Sequence, residues 1–315
     1  MKNSVDIIIV NYNTQEYLKD LIRSIKRHTR YPYRLIIIDN KSTDNSKDYL
    51  DQIKARGVKV IYNQSNLGTS KAWNQGIKLG SGKYIMILNP DTRVTPNWLT
   101  RLIAYAEEDE KIAIVGTKQV NQNNMIVHAG VIEKNGQAIA RGIGEKDHPG
   151  KFNKPVDCLH ICGACLLIKR KHIPVLGYFD ERYFLYAEET DYCRHARLVG
   201  FRVICTPVTI THFTEGSPLN RNKRHQMHMK SVDLYNQKWA NPDKVLLDTL
   251  TSPQVLKRGE LIRSQEPTVY FLLNQIKYPI PSEEVFHKLN FRWEDIKHIS
   301  QQKIDQIPTG TVLYI

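Results

Sequence analysis

The sequence predicts an α/β protein whose core is a mostly parallel sheet covered on both faces by helices. Short apolar runs rich in β-branched residues occur at Val5–Val10, Leu35–Ile38, Val58–Tyr62, Tyr84–Leu88 and Ile112–Val115. Stretches of helical period separate them, near Gln15–His28, Asp44–Ala55, Ser70–Leu79 and Pro96–Glu107. In the first of these, Leu18, Leu21, Ile22 and Ile25 share one face. The strand runs are apolar throughout instead of alternating with polar residues, as strands buried on both faces are.

Beyond Val120 the pattern loosens. Strands are expected at Met125–Ile132 and Gln137–Ala140 around a turn at Lys134–Gly136, and again near Val156–Ile168. A glycine-rich loop passes through Gly142, Gly144 and Gly150. There follow a helix over Glu188–Val199, a short strand at Arg202–Cys205 leading to His212, and helical stretches at Asn220–Trp239 and Pro242–Arg263. These signals divide the chain into a main domain over 1–216, a helical extension over 217–265 and a small C-terminal α+β module over 266–315.

A chain of 315 residues buries a full core and still carries a small second module. No apolar run approaches the roughly 20 residues that a membrane span needs. The opening MKNSVDIIIVNYN reads as a first strand rather than a secretion signal. The five cysteines are odd in number and lie mostly in apolar or helical contexts, which argues against a disulfide framework and points to the cytoplasm. Lys and Arg outnumber Asp and Glu by 45 to 32, a net charge of +13. Such a charge suits a solvated basic surface. It equally suits an anionic partner: nucleotide phosphates, an anionic membrane face, a phosphorylated lipid acceptor or nucleic acid.

Ligands of parallel sheets bind beyond the carboxyl ends of the strands. The polar residues there are Asn11, Asp39, Asn63 to Gly68, and Asn89 to Asp91. Asp91 ends a buried strand, and a carboxylate oxygen in that position suits Mg²⁺ or Mn²⁺. The same residue also suits a simple turn cap before the helix that Pro96 begins.

Taken together these segments resemble glycosyltransferase family 2, enzymes of the GT-A fold, which is a Rossmann-like, mostly parallel sheet with flanking helices. Ile8-Ile9-Val10-Asn11-Tyr12-Asn13 is similar to that family's opening strand and loop, and Leu35 through Asp44 to its second strand. Asn66-Leu67-Gly68 with Asn74-Gln75-Gly76 resembles its third block. Tyr84 through Asp91 resembles its metal motif in the form common among rhamnosyltransferase-like members, and Gly177 through Asp191 its acceptor-side block. The resemblance spans about residues 4–216.

The resemblance implies a transfer of a sugar from a nucleotide donor to an acceptor hydroxyl with inversion at the anomeric carbon. Asp39 would hydrogen-bond a pyrimidine base, with Asn11 lining the same pocket and Gly68 and Asn74 on the nucleotide side. Asp91 would bind the Mn²⁺ or Mg²⁺ that bridges the donor diphosphate, and His212 would complete the metal shell. Asn89 stands where many relatives carry an aspartate, and either touches the metal or orients the site through hydrogen bonds. Glu189, where relatives usually have aspartate, would take the acceptor's proton. Asp191 is the alternative base, or else a first-turn carboxylate favoured by the helix dipole. The implied partners are a UDP- or dTDP-sugar and a glycan or lipid-linked acceptor, without nucleic acid.

Other readings stay open beside it. A nucleotidyltransferase would carry a glycine- and lysine/arginine-rich phosphate loop after the first strand, and Asn11-Tyr12-Asn13-Thr14 is not one. A catalytically silent glycan- or nucleic-acid-binding protein on the same fold would suit Asn89 and Glu189. Cys158, Cys162 and Cys165 have a spacing used by iron–sulfur clusters. Their continuity with Leu166-Leu167-Ile168 favours a buried strand, in which Gly163 lets substrate approach. The basic segment 220–239, with Met227, Met229, Leu234 and Trp239, is either a docked helix or one lying on an anionic membrane at the inner face. The last residues, with Lys277-Tyr278-Pro279-Ile280-Pro281 and Phe291-Arg292-Trp293, resemble a short module of bacterial surface proteins. A hairpin and short helices are expected there around Phe286, Leu289 and Trp293.

Overall fold

The computed structural model describes residues 2–148, 150–214 and 219–313. They form two compact units, Met1–Arg197 with Arg202–Tyr235, and Leu198–Phe201 with Asn236–Ile315. The chain begins with β1 (Lys2–Asn11), α1 (Gln15–His28), β2 (Tyr33–Asp39), α2 (Ser46–Lys54) and β3 (Lys59–Tyr62). Next come α3 (Thr69–Leu79), β4 (Gly82–Leu88), β5 (Thr92–Arg93), α4 (Trp98–Glu107) and β6 (Ile112–Val120). It continues through β7 (Ile126–His128), the hairpin β8 (Val131–Lys134) and β9 (Gln137–Ala140), β10 (Val156–Asp157) and β11 (Cys165–Lys169). Then follow α5 (Ile173–Leu176), α6 (Glu188–Leu198), β12 (Arg202–His212) and α7 (Arg221–Lys238).

The large sheet has the order β10–β12–β6–β11–β4–β1–β2–β3, with β5 on β12 and β7 on β6. β1 pairs in parallel with β2 and β4, β2 with β3, and β6 with β12. β11 is antiparallel to both β4 and β6, and β10 to β12. The chain leaves β1 first toward β2 and later returns on its other side as β4. Strand order reverses at that point, so a crevice opens beyond the carboxyl ends of β1 and β4. Asn11, Asp39 and Asn89 sit at the carboxyl ends of β1, β2 and β4, where the apolar runs stop.

The core beneath is formed by Ile7, Ile9 and Ile37 with Leu18, Leu21, Ile22 and Ile25, the face of α1 that the sequence pattern predicts. Each such side chain contributes about 1.5–3 kcal/mol by leaving water. α3 lies close on β1 at Gly76, where an added Cβ would come within 2.5 Å of Ile8 Cγ2. Midway along β1 the wholly buried Asp6 accepts hydrogen bonds from the Gly82 amide at 2.7 Å, from Arg170 at 2.8 Å, and from Arg34.

Several elements differ from the sequence expectation. The strand expected over Val156–Ile168 is two strands, since β10 pairs with β12 at one edge while β11 inserts between β4 and β6. The short strand from Arg202 continues to His212, because β5 pairs with its far end. In α7 the apolar side chains do not form a stripe. At about 100° per residue Met229 points away from Met227 and Leu234, and Ser231 is its buried residue. The stretch Pro242–Arg263 breaks into α8 (Pro242–Leu250), α9 (Pro253–Leu256) and a strand, β13 (Glu260–Arg263). Pro253 begins a new helix there, where its missing N–H costs nothing. No helix among the described residues is long and apolar enough to cross a membrane.

In the second unit β13 pairs antiparallel with β14 (Tyr270–Leu273) and parallel with β16 (Ile296–His298), while β15 (Ile276–Pro279) completes a hairpin with β14. Helices α10 (Glu283–Lys288) and α11 (Gln301–Asp305) accompany this sheet. The buried Phe286 stacks on Trp293 with ring centroids 4.3 Å apart. The expected boundary at 216–217 lies outside the described residues. Residues 260–263, expected in the helical extension, are a strand of this small sheet.

Candidate active site

A cavity of about 330 Å³ has among its lining residues Tyr12, Asn40, Asn89, Asp91, Glu189 and His212. Its wall is thus drawn from the segments after β1, β2 and β4, the start of α6 and the end of β12.

Asp91 and His212 meet through backbone pairing. β5 follows Asp91 at once and pairs with the end of β12, so that Thr92 faces His212 and Arg93 faces Thr211. The Phe213 amide donates to the Asp91 carbonyl at 2.9 Å. As a result His212 Nε2 lies 3.5 Å from Asp91 Oδ2, and its Nδ1 lies 2.9 Å from Gln119 Oε1 on the neighbouring strand β6. Asn89 is held by its own backbone: its amide donates to the Ala164 carbonyl at 3.0 Å, and its carbonyl accepts from the Thr92 hydroxyl at 2.7 Å. Among the described residues no three His, Cys, Asp or Glu side chains gather into a complete cage. A carboxylate and an imidazole directed at one point fit an ion that keeps waters and takes other ligands from substrate phosphates, as Mg²⁺ and Mn²⁺ do.

The acidic start of α6 forms the facing wall. Glu188 and Glu189 line the cavity, and both carboxyls are held above the usual range. For Glu188 burial is the main cause, and the neighbouring Glu189 charge adds to it. For Glu189 burial raises the value, while the amides of Glu189, Gly163 and Thr190 oppose the rise by donating hydrogen bonds. Glu188 Oε2 is buried and has no hydrogen-bond partner among the described residues. Gly163 permits the close packing here, since a Cβ on it would come within 3.0 Å of Trp73 and 3.4 Å of Glu189. Gly163 also lines the cavity itself. Asp191 points elsewhere: it is buried, accepts from the Tyr183 hydroxyl at 3.3 Å, and is not among the lining residues.

The loop before α6 is fastened at two places. Thr69 N–H donates to the Phe184 carbonyl at 2.7 Å. Gly68, at φ +80°, leaves room for that contact, because a Cβ would lie 2.6 Å from the same oxygen. Asn74, buried in α3, holds the Phe179 backbone. Tyr186 and Ala187 both take left-handed φ, +72° and +65°, immediately before the two glutamates. Such conformations cost energy in non-glycine residues and cluster at functional sites.

Asn11 and Asp39 form a buried pair. Asn11 Nδ2 donates to Asp39 Oδ1 at 2.8 Å and to Ser42 Oγ at 2.9 Å, while the Ser42 amide donates to Asp39 Oδ2 at 3.0 Å. The lining residues in this region are their neighbours Tyr12, Thr14 and Asn40. Thr14 donates to Asn11 Oδ1 at 2.7 Å, and Asn40 donates to the Gly68 carbonyl at 3.1 Å. Of the sequence candidates, Gly68, Asn89, Asp91, Glu189 and His212 line one cavity; Asn11, Asp39, Asn74 and Asp191 are not among its lining residues.

Sequence reasoning missed Glu188, Gln119 and Trp73. Gln119 lies beyond the apolar run Ile112–Val115, and only the pairing of β6 with β12 shows that the buried strand continues to Val120. Glu188 was hidden by its neighbour, because adjacent acids at a helix start read as dipole-favoured surface residues.

The sheet order and the strand-end site define an α/β protein of the GT-A kind. The family model "Glycosyl transferase family 2" matches residues 6–177, and the chain belongs to that family. An uncharacterized glycosyltransferase of Haemophilus influenzae is 30% identical over 115 residues, 36% of each chain. The low-salt glycan biosynthesis hexosyltransferase Agl10 of Haloferax volcanii is 24% identical over 245 residues, 75% of each chain. The O-antigen biosynthesis protein RfbC of Myxococcus xanthus is 27% identical over 223 residues, and this chain spans 17% of its length. Among solved structures, GalNAc-T7 with UDP, GalNAc and Mn²⁺ shares the fold at TM-score 0.56 and 19% identity, over 66% of this chain and 43% of that one. S. aureus TarS 1-349 in complex with UDP-GlcNAc does so at TM-score 0.51 and 14% identity, over 79% and 72%.

Proposed function

We propose that the protein is a metal-dependent, inverting glycosyltransferase that moves a sugar from a UDP- or dTDP-sugar to an acceptor hydroxyl. We place it in the assembly of a surface polysaccharide or protein-linked glycan, with a glycan or lipid-linked acceptor. The observation that carries this reading is one cavity holding both the Asp91–His212 pair and the Glu189 carboxylate. The UDP and Mn²⁺ named for GalNAc-T7, the UDP-GlcNAc named for TarS, and the glycan roles of Agl10 and RfbC support the choice of cofactor, donor and pathway class.

Each residue then has a task. Asp91 and His212 would hold Mn²⁺ or Mg²⁺, which when bound would supply Lewis-acid stabilisation for negative charge on the leaving diphosphate. Asn89 shapes the turn that presents Asp91. Asp39 and Asn11, locked to one another, set the wall against which the pyrimidine base lies, and Tyr12 and Asn40 supply its surface. Glu189 accepts the acceptor's proton as the hydroxyl oxygen attacks the anomeric carbon from the face opposite the leaving group. That displacement inverts the configuration in one step.

A thermal-shift panel tests the proposal. UDP- and dTDP-sugars should raise the melting temperature of the native chain only with Mn²⁺, and Asp91→Ala should abolish the shift while folding normally. At a hundredfold excess over Kd the ligand adds about 2.7 kcal/mol. Absence of any shift across the panel, or a full shift in Asp91→Ala, would sink the reading. The anomer of the first-formed product, read by NMR, tests inversion separately.

A further inference from the structure

We infer that Gln119 is a positioning residue for metal binding: its amide oxygen accepts the Nδ1 proton of His212 and so leaves the Nε2 lone pair facing Asp91. The inference rests on the metal-dependent reading above. A neutral imidazole carries one proton, and the nitrogen that has an acceptor within hydrogen-bond distance holds it. Beside Nδ1 stands Gln119 Oε1 at 2.9 Å; beside Nε2 stands Asp91 Oδ2 at 3.5 Å. The first distance is that of a normal N–H···O bond, and the second lies beyond its range of about 2.7–3.2 Å. The proton therefore belongs on Nδ1. Two electron-pair donors, Nε2 and Oδ2, are then directed at each other, and what such a pair binds is a cation.

The backbone enforces this arrangement. β6 and β12 run parallel with Gln119 opposite Ile210 and Val120 opposite Thr211, which brings residue 119 within reach of the His212 ring. Every residue of β6 is buried, and Gln119 is wholly so. A buried amide is costly, and here the Gln119 Nε2 has no hydrogen-bond partner among the described residues, so the half of the Gln119 side chain that is engaged is the oxygen facing His212. Turned over, the same amide would donate to Nδ1 and drive the proton onto Nε2, producing a hydrogen-bonded His–Asp pair that cannot ligate. Glutamate at this position has no such option when ionised, because it only accepts.

Two variants therefore separate the alternatives. In the full chain with UDP present, Mn²⁺ affinity is read from the electron paramagnetic resonance of free Mn²⁺. Bound nitrogen is read from the electron spin echo modulation of the complex. The native protein should show a nitrogen signature that His212→Ala lacks. Gln119→Leu should weaken Mn²⁺ about 10–100-fold, the range for groups that orient a metal ligand, and lose the signature while its far-UV spectrum stays native. Gln119→Glu should restore both. Native affinity and signature in Gln119→Leu, or a Gln119→Glu variant as poor as Gln119→Leu, would overturn the inference. Should the leucine variant not fold, a folded glutamate variant without the nitrogen signature overturns it as well. Equal Mn²⁺ binding by the native protein and Asp91→Ala would instead overturn the metal-site reading on which it rests.

Discussion

The side chain of Asn74 is bonded to the backbone of Phe179 on both sides, Nδ2 to the carbonyl at 2.8 Å and Oδ1 from the amide at 3.0 Å. A side-chain amide thus imitates one rung of a sheet between α3 and the loop that leads to Glu188 and Glu189. Asn74→Ala would leave both Phe179 groups buried without partners, at about 1–3 kcal/mol each. We expect a stability loss of about 2–6 kcal/mol in urea unfolding and a fall in kcat with donor KM little changed. An unchanged unfolding curve would show that water replaces the lost bonds.

Glu189→Gln keeps the side chain's size but cannot take a proton. Turnover should fall about 10²–10⁴-fold, the range for a lost general base, with affinity for UDP and Mn²⁺ retained. Asp191→Asn should cost far less, since Asp191 faces Tyr183. As the proposed base Glu189 would work only when ionised, and burial holds its pKa above 4.5. Activity of the native enzyme should therefore rise with pH through a limb above that value. Loss of activity in Asp191→Asn with a nearly active Glu189→Gln would exchange the two roles.

Glu188 supplies a stability test. Its folded-state pKa is well above 4.5, mainly through burial. Below about pH 4.5 the carboxyl is protonated in both folded and unfolded chains and carries no penalty. As pH rises toward the folded-state value, the unfolded chain has released its proton and the folded chain has not, so stability falls. Above that value the full cost of a buried charge remains. Glu188→Gln should accordingly melt higher than the native protein at pH 8, and the gap should close toward pH 4. A gap independent of pH would mean that the gain is packing and not charge.

Asp39→Ala removes the acceptor shared by Asn11 and Ser42. Hydrogen bonds to a charged group contribute about 1.5–3 kcal/mol, so UDP affinity measured by calorimetry should drop about tenfold to a hundredfold. A folded variant with native UDP affinity and native discrimination against GDP would detach Asp39 from donor recognition.

Local patterns carried most of the frame. The apolar runs located β1 to β4 and β6 because both-face burial leaves no polar alternation, and the Leu18–Ile25 face emerged because helical period is a property of neighbours along the chain. Where those runs stop, Asn11, Asp39 and Asp91 were recognisable as candidates. The breaks after Asp157 and Leu250 were harder, since neither an apolar run nor a helical period reveals what a segment packs against.

The sequence by itself thus determined the parallel frame and the types of residue at its carboxyl edge. Only the tertiary structure decided their partners. The pairing of β5 with β12 brings His212 to Asp91, the register of β6 places Gln119 against the imidazole, and Gly163 lets Glu189 stand beside Trp73. None of these has a local signature, because each contact joins segments distant along the chain. The energy that selects them comes from burying the whole sheet at once.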